Sequence, residues 1–182
     1  MSEYIVREAT VQDLPAWWEL RLRSLHDHPD AFGSDYEESR RTGPTYIERG
    51  YFDGGINRLF AAFTSAGDLV AHAGTYEESG KRSHIGNVIS VYTHPDHRGN
   101  VLASRLVQAA IEHLQSFPAI TSIRISVNAD NHIAFRTYEN WASLRGVRSP
   151  LRFAQPMDRV TMNGIWCLPT ASTVHSPPER TP

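Results

Sequence analysis

Apolar residues in this chain follow two different rhythms. One repeats every three or four positions and the other comes in short compact runs. After a brief extended stretch at residues 4–9 (YIVREA), Leu14, Trp18, Leu22 and Leu25 recur at spacings of four, four and three, which predicts a helix. Thr10 precedes it as an N-cap, and Asp13 three residues on makes a variant of the capping box. Arg21 and Arg23 fall off that stripe, and so does Trp17, left to solvent or to the wall of a substrate pocket. His28-Pro29-Asp30 ends the helix, because proline cannot continue it. Residues 34–42 suit a short polar helix broken by Gly43-Pro44, and residues 45–52 suit one more helical stretch.

The middle of the chain changes rhythm. LFAAF (59–63), LVAHAGTYEE (69–78) and HIGNVISVYT (84–93) are strand-like runs joined by the turn chemistry of Ser65–Asp68 and Ser79–Lys81, which predicts an antiparallel meander. Leu102, Leu106, Ala110 and Leu114 then recur every four residues, so 99–116 reads as an amphipathic helix. Ile123, Ile125 and Val127 alternate with polar neighbours as a half-buried strand. A helix from Asn131, a loop around Ser149-Pro150 and a last strand within VTMNGIWCL follow. The order is β, α, α, three strands, α, β, α, β. A strand–helix–strand unit enclosed by antiparallel strands predicts a mixed α/β sheet. The Pro/Ser/Thr-rich tail 169–182 has almost nothing to bury and is expected to be disordered, leaving one domain over 1–168.

Composition narrows the possible functions without selecting one. With 182 residues the chain can bury a core without staples, and its single cysteine excludes a disulfide framework or a cysteine-rich zinc module. A net charge of −2 lacks the basic footprint of a nucleic-acid binder. No apolar run approaches a bilayer span, so no membrane role is expected. The opening MSEYIVREATVQDL lacks the layout of a signal peptide, so a cytoplasmic protein is the expectation.

The informative stretch is VISVYTHPDHRGNVLASRLVQAAIEHL (88–114): a strand, a tight basic link with glycine, then a long helix. The first turn of a helix presents unpaired N–H groups and the positive end of the macrodipole, which suits a phosphate. Arg98 adds a full charge, and Gly99, Ala103 and Ser104 are small enough to let a phosphate reach the backbone. The same residues also serve as a plain helix start. A nucleotide-binding module is a third reading, but a full P-loop or G-x-G-x-x-G is missing. His94 and His97 flank a proline and an aspartate, but two histidines without cysteines do not make a structural zinc site, so no metal is expected.

Residues 98–103 (RGNVLA) resemble motif A of the GNAT N-acetyltransferase superfamily, (Q/R)-x-x-G-x-(G/A), with Arg98 first and Ala103 last. Residues 93–98 are similar to that family's V-x-P-x-x-R lead-in, and Asn131, Ala134 and Tyr138 resemble its N-x-x-A-x-x-x-Y helix. The opening segment EATVQDLPAWWELRLRSLHDHPDAFGS also looks like that of many small members. The resemblance implies a mixed, mostly antiparallel sheet flanked by helices around a central strand–helix–strand cofactor unit. It implies acetyl-CoA as acetyl donor and a small-molecule or peptide amine as acceptor, with a homodimer through the final strands as a family habit. It assigns the pantetheine arm to the backbone of Val91, Tyr92 and Thr93. The pyrophosphate falls to Arg98, Gly99, Asn100, Val101, Leu102, Ala103 and Ser104. Asn131 falls on a cofactor contact and Tyr138 on the general acid for the leaving thiolate. Phe32 lies in a loop that borders the acceptor site in the family.

Two departures stand out. Val101 occupies a position the family gives to glycine, where it either points away or crowds the phosphate. Asn140-Trp141-Ala142-Ser143 replaces the usual x-x-Gly-Phe continuation after Tyr138-Glu139. Both keep open a relative that binds CoA or a partner without catalysis. Glu77, Glu78, Glu37 and Glu38 are the carboxylates available as general base for the amine, or are simply solvated.

Overall fold

A computed structural model describes residues 3–127, 131–144 and 164–169. Strand β1 (Tyr4–Glu8) leads into helix α1 (Leu14–Asp27), followed by two short helices, α2 (Tyr36–Thr42) and α3 (Thr45–Gly50). The meander is β2 (Arg58–Thr64), β3 (Leu69–Glu77) and β4 (Ile85–Thr93). Then come α4 (Leu102–Gln115), β5 (Ser122–Val127), α5 (His132–Leu144) and β6 (Gly164–Pro169). The six strands lie in chain order in one sheet, antiparallel except for the β4–β5 pair, as the mixed α/β reading expects. Pro169, the first residue of the expected disordered tail, instead ends β6 opposite Ser122, because the ladder to β5 runs that far; the loop around Ser149-Pro150 and tail residues 170–182 lie outside the described residues. Among the described residues no helix is long and apolar enough to cross a membrane.

Alternation along β2 explains its unbroken apolar run, because both faces of the strand are covered. Phe60 and Ala62 join the core under α4, with Leu106, Ala110, Ile111 and Leu114. Leu59, Ala61 and Phe63 join the opposite core, with Leu14, Trp17 and Ile47 of α1 and α3. Helix α4 begins at Leu102 rather than residue 99, because Gly99 (φ 81°) and Val101 (φ 52°) hold the preceding turn in left-handed backbone.

Helix α1 turns a different face inward from the one its leucines predict. Leu14, Trp17, Leu20, Arg21, Ser24 and Leu25 are buried, whereas Trp18 and Leu22 are half-buried. The reason is tertiary. Trp17 packs against the ring of His72 on β3 at 5.0 Å, while Trp18 meets Tyr46 of α3 edge-on at 6.4 Å. The stripe is therefore split between the sheet and α3, and Arg21 goes inward with Trp17, one turn away.

The sheet forks at β4. Its parallel pairing with β5 covers only Ile85–Val88 against Ser122–Ile125, and beyond Val88 the two strands have no common ladder. On the other side β4 stays paired to β3 as far as Thr93, but through a bulge: Ser90 and Val91 stand opposite the single Ala73. Ser90 has a φ of 56°, left-handed for a residue other than glycine. Its carbonyl accepts a 2.6 Å hydrogen bond from Nδ1 of His72. That acceptor fixes the tautomer with the proton on Nδ1. Burial, with the positive Arg21 nearby, pushes the His72 ring down to about 3, so it is neutral at pH 7.

Two outcomes are expected from this packing. A Cβ on Gly86 of β4 would lie 2.7 Å from Cδ2 of the fully buried Leu114, so Gly86→Ala should cost about 1–3 kcal/mol as an overpacked site. Urea unfolding would register this as a lower midpoint at constant slope, and an unchanged midpoint would mean that Leu114 swings aside. The second concerns acid. Between the ordinary imidazole value of about 6.5 and the folded value of about 3, the unfolded chain takes up a proton that the folded His72 refuses. Stability should therefore fall as pH drops through that window. His94 and His113 are also lowered by burial and act in the same direction, so the discriminating comparison is His72→Asn. It should melt lower at pH 7 and show a flatter decline towards pH 4; an equally steep decline would assign the acid sensitivity to other groups.

Candidate active site

The fork and the start of α4 are neighbours in the chain, so β4 delivers both halves of one site. Past Val88 the β4 backbone has no β5 partner. Val91 is half-buried and Tyr92 is buried. The Tyr92 hydroxyl and Thr93 Oγ1 are buried without a hydrogen-bond partner. Orphaned buried hydroxyls are uncommon in native proteins and mark where a further group would be satisfied.

At the helix start, Val101 adopts φ 52° and ψ 19° as the N-cap, a conformation that β-branched residues rarely take. The residue is 69% exposed, so its isopropyl group is not packed into the core. The Val101 carbonyl accepts the first helical hydrogen bond, from the Arg105 N–H at 3.1 Å. No side chain caps this end, so the amides of Leu102, Ala103 and Ser104 have no intrahelical acceptor. Leu102 is buried as a core anchor, and Ala103 and Ser104 are half-buried beside it. Asn100 braces the turn, its Nδ2 donating to the carbonyls of His97 (3.1 Å) and Arg98 (3.3 Å).

Arg98 acts partly as a clamp. Its Nε donates to the Thr93 carbonyl at 3.2 Å and its Nη2 lies 3.1 Å from Nε2 of His28, so its guanidinium ties the end of β4 to the loop after α1. Asn131 is also engaged, because its Oδ1 caps α5 by accepting from the Ala134 N–H at 3.1 Å. Tyr138 lies in the core shared by Val88 of β4 with Leu102 and Leu106 of α4. It is 7% exposed, and burial pushes its phenol above the ordinary range, so it keeps its proton at any working pH.

The other face of the fork opens into a cleft of about 420 Å³ whose walls include Tyr76, Glu78, Asn87, Ile89 and Ser126. Glu78 is held between Arg82 and Arg124, the latter at 3.3 Å, so its carboxylate is engaged rather than simply solvated. Glu77 ends β3, and Glu37 and Glu38 sit in the first turn of α2, where Glu37 pairs with Arg40. Phe32 lies under the guanidinium of Arg21, 4.6 Å from Cζ to the ring centroid.

Two residues escape a reading of the sequence. His72 sits within the apolar run LVAHAGT with nothing local to mark it as the side chain holding the bulge. Arg21 lies off the leucine stripe, and only the packing of α1 reveals that it is buried. A single polar residue inside an apolar strand run is the one signal that could have drawn attention to His72.

Comparison with known proteins agrees with this architecture. The acetyltransferase (GNAT) family profile matches residues 17–142. The L-amino acid N-acetyltransferase AaaT of Escherichia coli K12 is 27% identical over 143 residues, covering 78% of this chain and 83% of that protein. A GCN5-related N-acetyltransferase from Kribbella flavida superposes with a TM-score of 0.68 at 20% identity, over 91% of this chain and 97% of that one. The structure of yncA from Salmonella typhimurium with its cofactor acetyl-CoA gives 0.69 at 16% identity, over 99% and 100%. With the family profile spanning well over half of its length, the forked sheet and the helix that starts at Leu102 are those of a member of the GNAT acetyltransferase family.

Proposed function

We propose that this protein moves the acetyl group of acetyl-CoA to a primary amine by direct attack within a ternary complex. The observation that carries the reading is the conjunction at β4: a strand edge freed beyond Val88 runs straight into an uncapped helix start at Leu102. The residues fit the donor. The amides of Leu102, Ala103 and Ser104 would hold the pyrophosphate, helped by the helix dipole. The backbone of Val91, Tyr92 and Thr93 would bond the pantetheine arm, and the orphaned hydroxyls of Tyr92 and Thr93 offer further partners. Arg98 and Asn100 shape the turn, and Asn131 fixes the start of α5 with its carbonyl oxygen, leaving its amide nitrogen for the ligand.

Acetyl-CoA supplies the acetyl group as a thioester open to attack by a neutral amine. Backbone N–H groups on the freed edge of β4 are fixed in place by the bulge, which suits them to stabilise charge developing on the carbonyl oxygen. The hydroxyl of Tyr138, kept protonated by burial, provides the proton for the departing sulfur. The cleft beside Tyr76 and Asn87 gives the amine its approach from the opposite face of the fork. The amino-acid acceptors named for the Escherichia coli relative are the first class to try.

Millimolar acetyl-CoA should raise the melting temperature, and CoA thiol should be released in the presence of an accepted amine. Absence of any shift, in the wild type and in Val101→Gly alike, would sink the transferase reading; a shift without turnover of any amine would favour a CoA-binding relative. In Val101→Gly the relief of left-handed strain, about 1–2 kcal/mol, outweighs the extra flexibility of glycine, about 0.5–1 kcal/mol. That variant should be as stable as the wild type or slightly more so, and should bind acetyl-CoA at least as tightly. Tyr138→Phe should lower turnover by about 10²- to 10⁴-fold while preserving the melting shift. Undiminished turnover would remove Tyr138 from the reaction.

A further inference from the structure

Two arginines are buried on opposite sides of the sheet, Arg58 on the α4 side in phase with Phe60 and Arg21 on α1, and they are treated differently. Arg58, 7% exposed, meets the Glu8 carboxylate at 2.7 Å and Asp53 at 3.7 Å. Arg21, 6% exposed, forms no ion pair with any carboxylate among the described residues. Its contacts are neutral: the face of Phe32 at 4.6 Å and the hydroxyl of Ser34 at 3.3 Å. One nitrogen, Nη1, has no hydrogen-bond partner among the described residues. Burying an unpaired charge is costly unless something compensates it. Burial does weaken this guanidinium, to about 10, yet it remains charged at neutral pH.

A second unpaired donor lies on the same helix face. Trp17, four residues earlier, is 2% exposed, and its Nε1 also lacks a partner. Both side chains adjoin His72, Trp17 by ring contact and Arg21 closely enough for its charge to depress the imidazole. His72 in turn holds the Ser90 carbonyl at the bulge. The two donors are thus one side chain removed from the strand edge where an amine would react.

We infer that Arg21, with the indole N–H of Trp17 as second donor, receives a carboxylate carried by the acceptor, so that the acceptor is an amine bearing an anionic group. A planar guanidinium pairs with a carboxylate through two parallel hydrogen bonds, and in this low-dielectric setting removal of the anion leaves two donors unsatisfied. Discrimination is therefore expected to be strong, because a site built around buried polar groups rejects the analogue that leaves them unpaired. The inference rests on the transferase reading but can fail independently of it.

The test measures CoA release from acetyl-CoA with the common L-amino acids, their carboxamides and the matching decarboxylated amines. For the best amino acid, kcat/KM should exceed that of its carboxamide at least tenfold in the wild type. Arg21→Gln should bring that ratio close to one through a rise in KM, Arg21→Lys should restore part of it, and the melting shift with acetyl-CoA should persist in both. Wild-type protein that uses carboxamides or plain amines as well as amino acids would overturn the inference and leave the transferase reading standing. Retention of the preference in a folded Arg21→Gln would overturn it too. A binding readout covers the case of no turnover: with CoA present, the same amino acids should raise the wild-type melting temperature more than their carboxamides do, and equal shifts would overturn the assignment.

Discussion

The hydrogen bond from His72 to the carbonyl of Ser90 is the contact on which the rest of the site depends. Strand β4 must leave β5 while remaining paired to β3, and an extra residue in the ladder is how a strand makes such a turn. A left-handed serine is a poor conformation by itself. It persists because a neutral imidazole, buried between Trp17 and Tyr92, satisfies the carbonyl that the bulge turns out of the ladder. The ring is neutral because it is buried, and it is buried because α1 covers it. One side chain therefore couples the helix on one face of the sheet to the strand edge at the fork.

Unsatisfied groups in this molecule are concentrated rather than scattered. Asp35 caps α2 and Asn131 caps α5, whereas α4 starts on a strained valine with no capping side chain. Arg58 has two carboxylates, whereas Arg21 has none among the described residues. Of the buried side-chain atoms without partners among the described residues, those of Trp17, Arg21, His72, Tyr92 and Thr93 all gather around α1 and the end of β4. The remaining one is Nε of Arg124 on β5.

Much of this was written locally in the chain. The period-four apolar positions of α4, the meander runs and the alternation of Ile123, Ile125 and Val127 are short-range patterns, and each became the expected element. The turn at 98–101 and the helix bearing Tyr138 were legible for the same reason, since a phosphate-binding helix start and its lead-in are contiguous. Val101 was readable as an oddity, but its effect was not. How a side chain sits at a helix end depends on a backbone angle that composition does not carry, and here that angle is left-handed on an exposed valine.

By itself, then, the sequence determined the order of elements, the strand–helix–strand unit and the family, because these rest on neighbours a few residues apart. Only the tertiary structure decided which face of α1 is buried, where β4 parts from β5, and that Arg21 and His72 lie beside the same fork. Those features join residues far apart in the chain, as Trp17 and His72 are. They follow from how a helix with two apolar flanks is divided between a sheet and a second helix, and that division depends on side-chain shapes meeting across space.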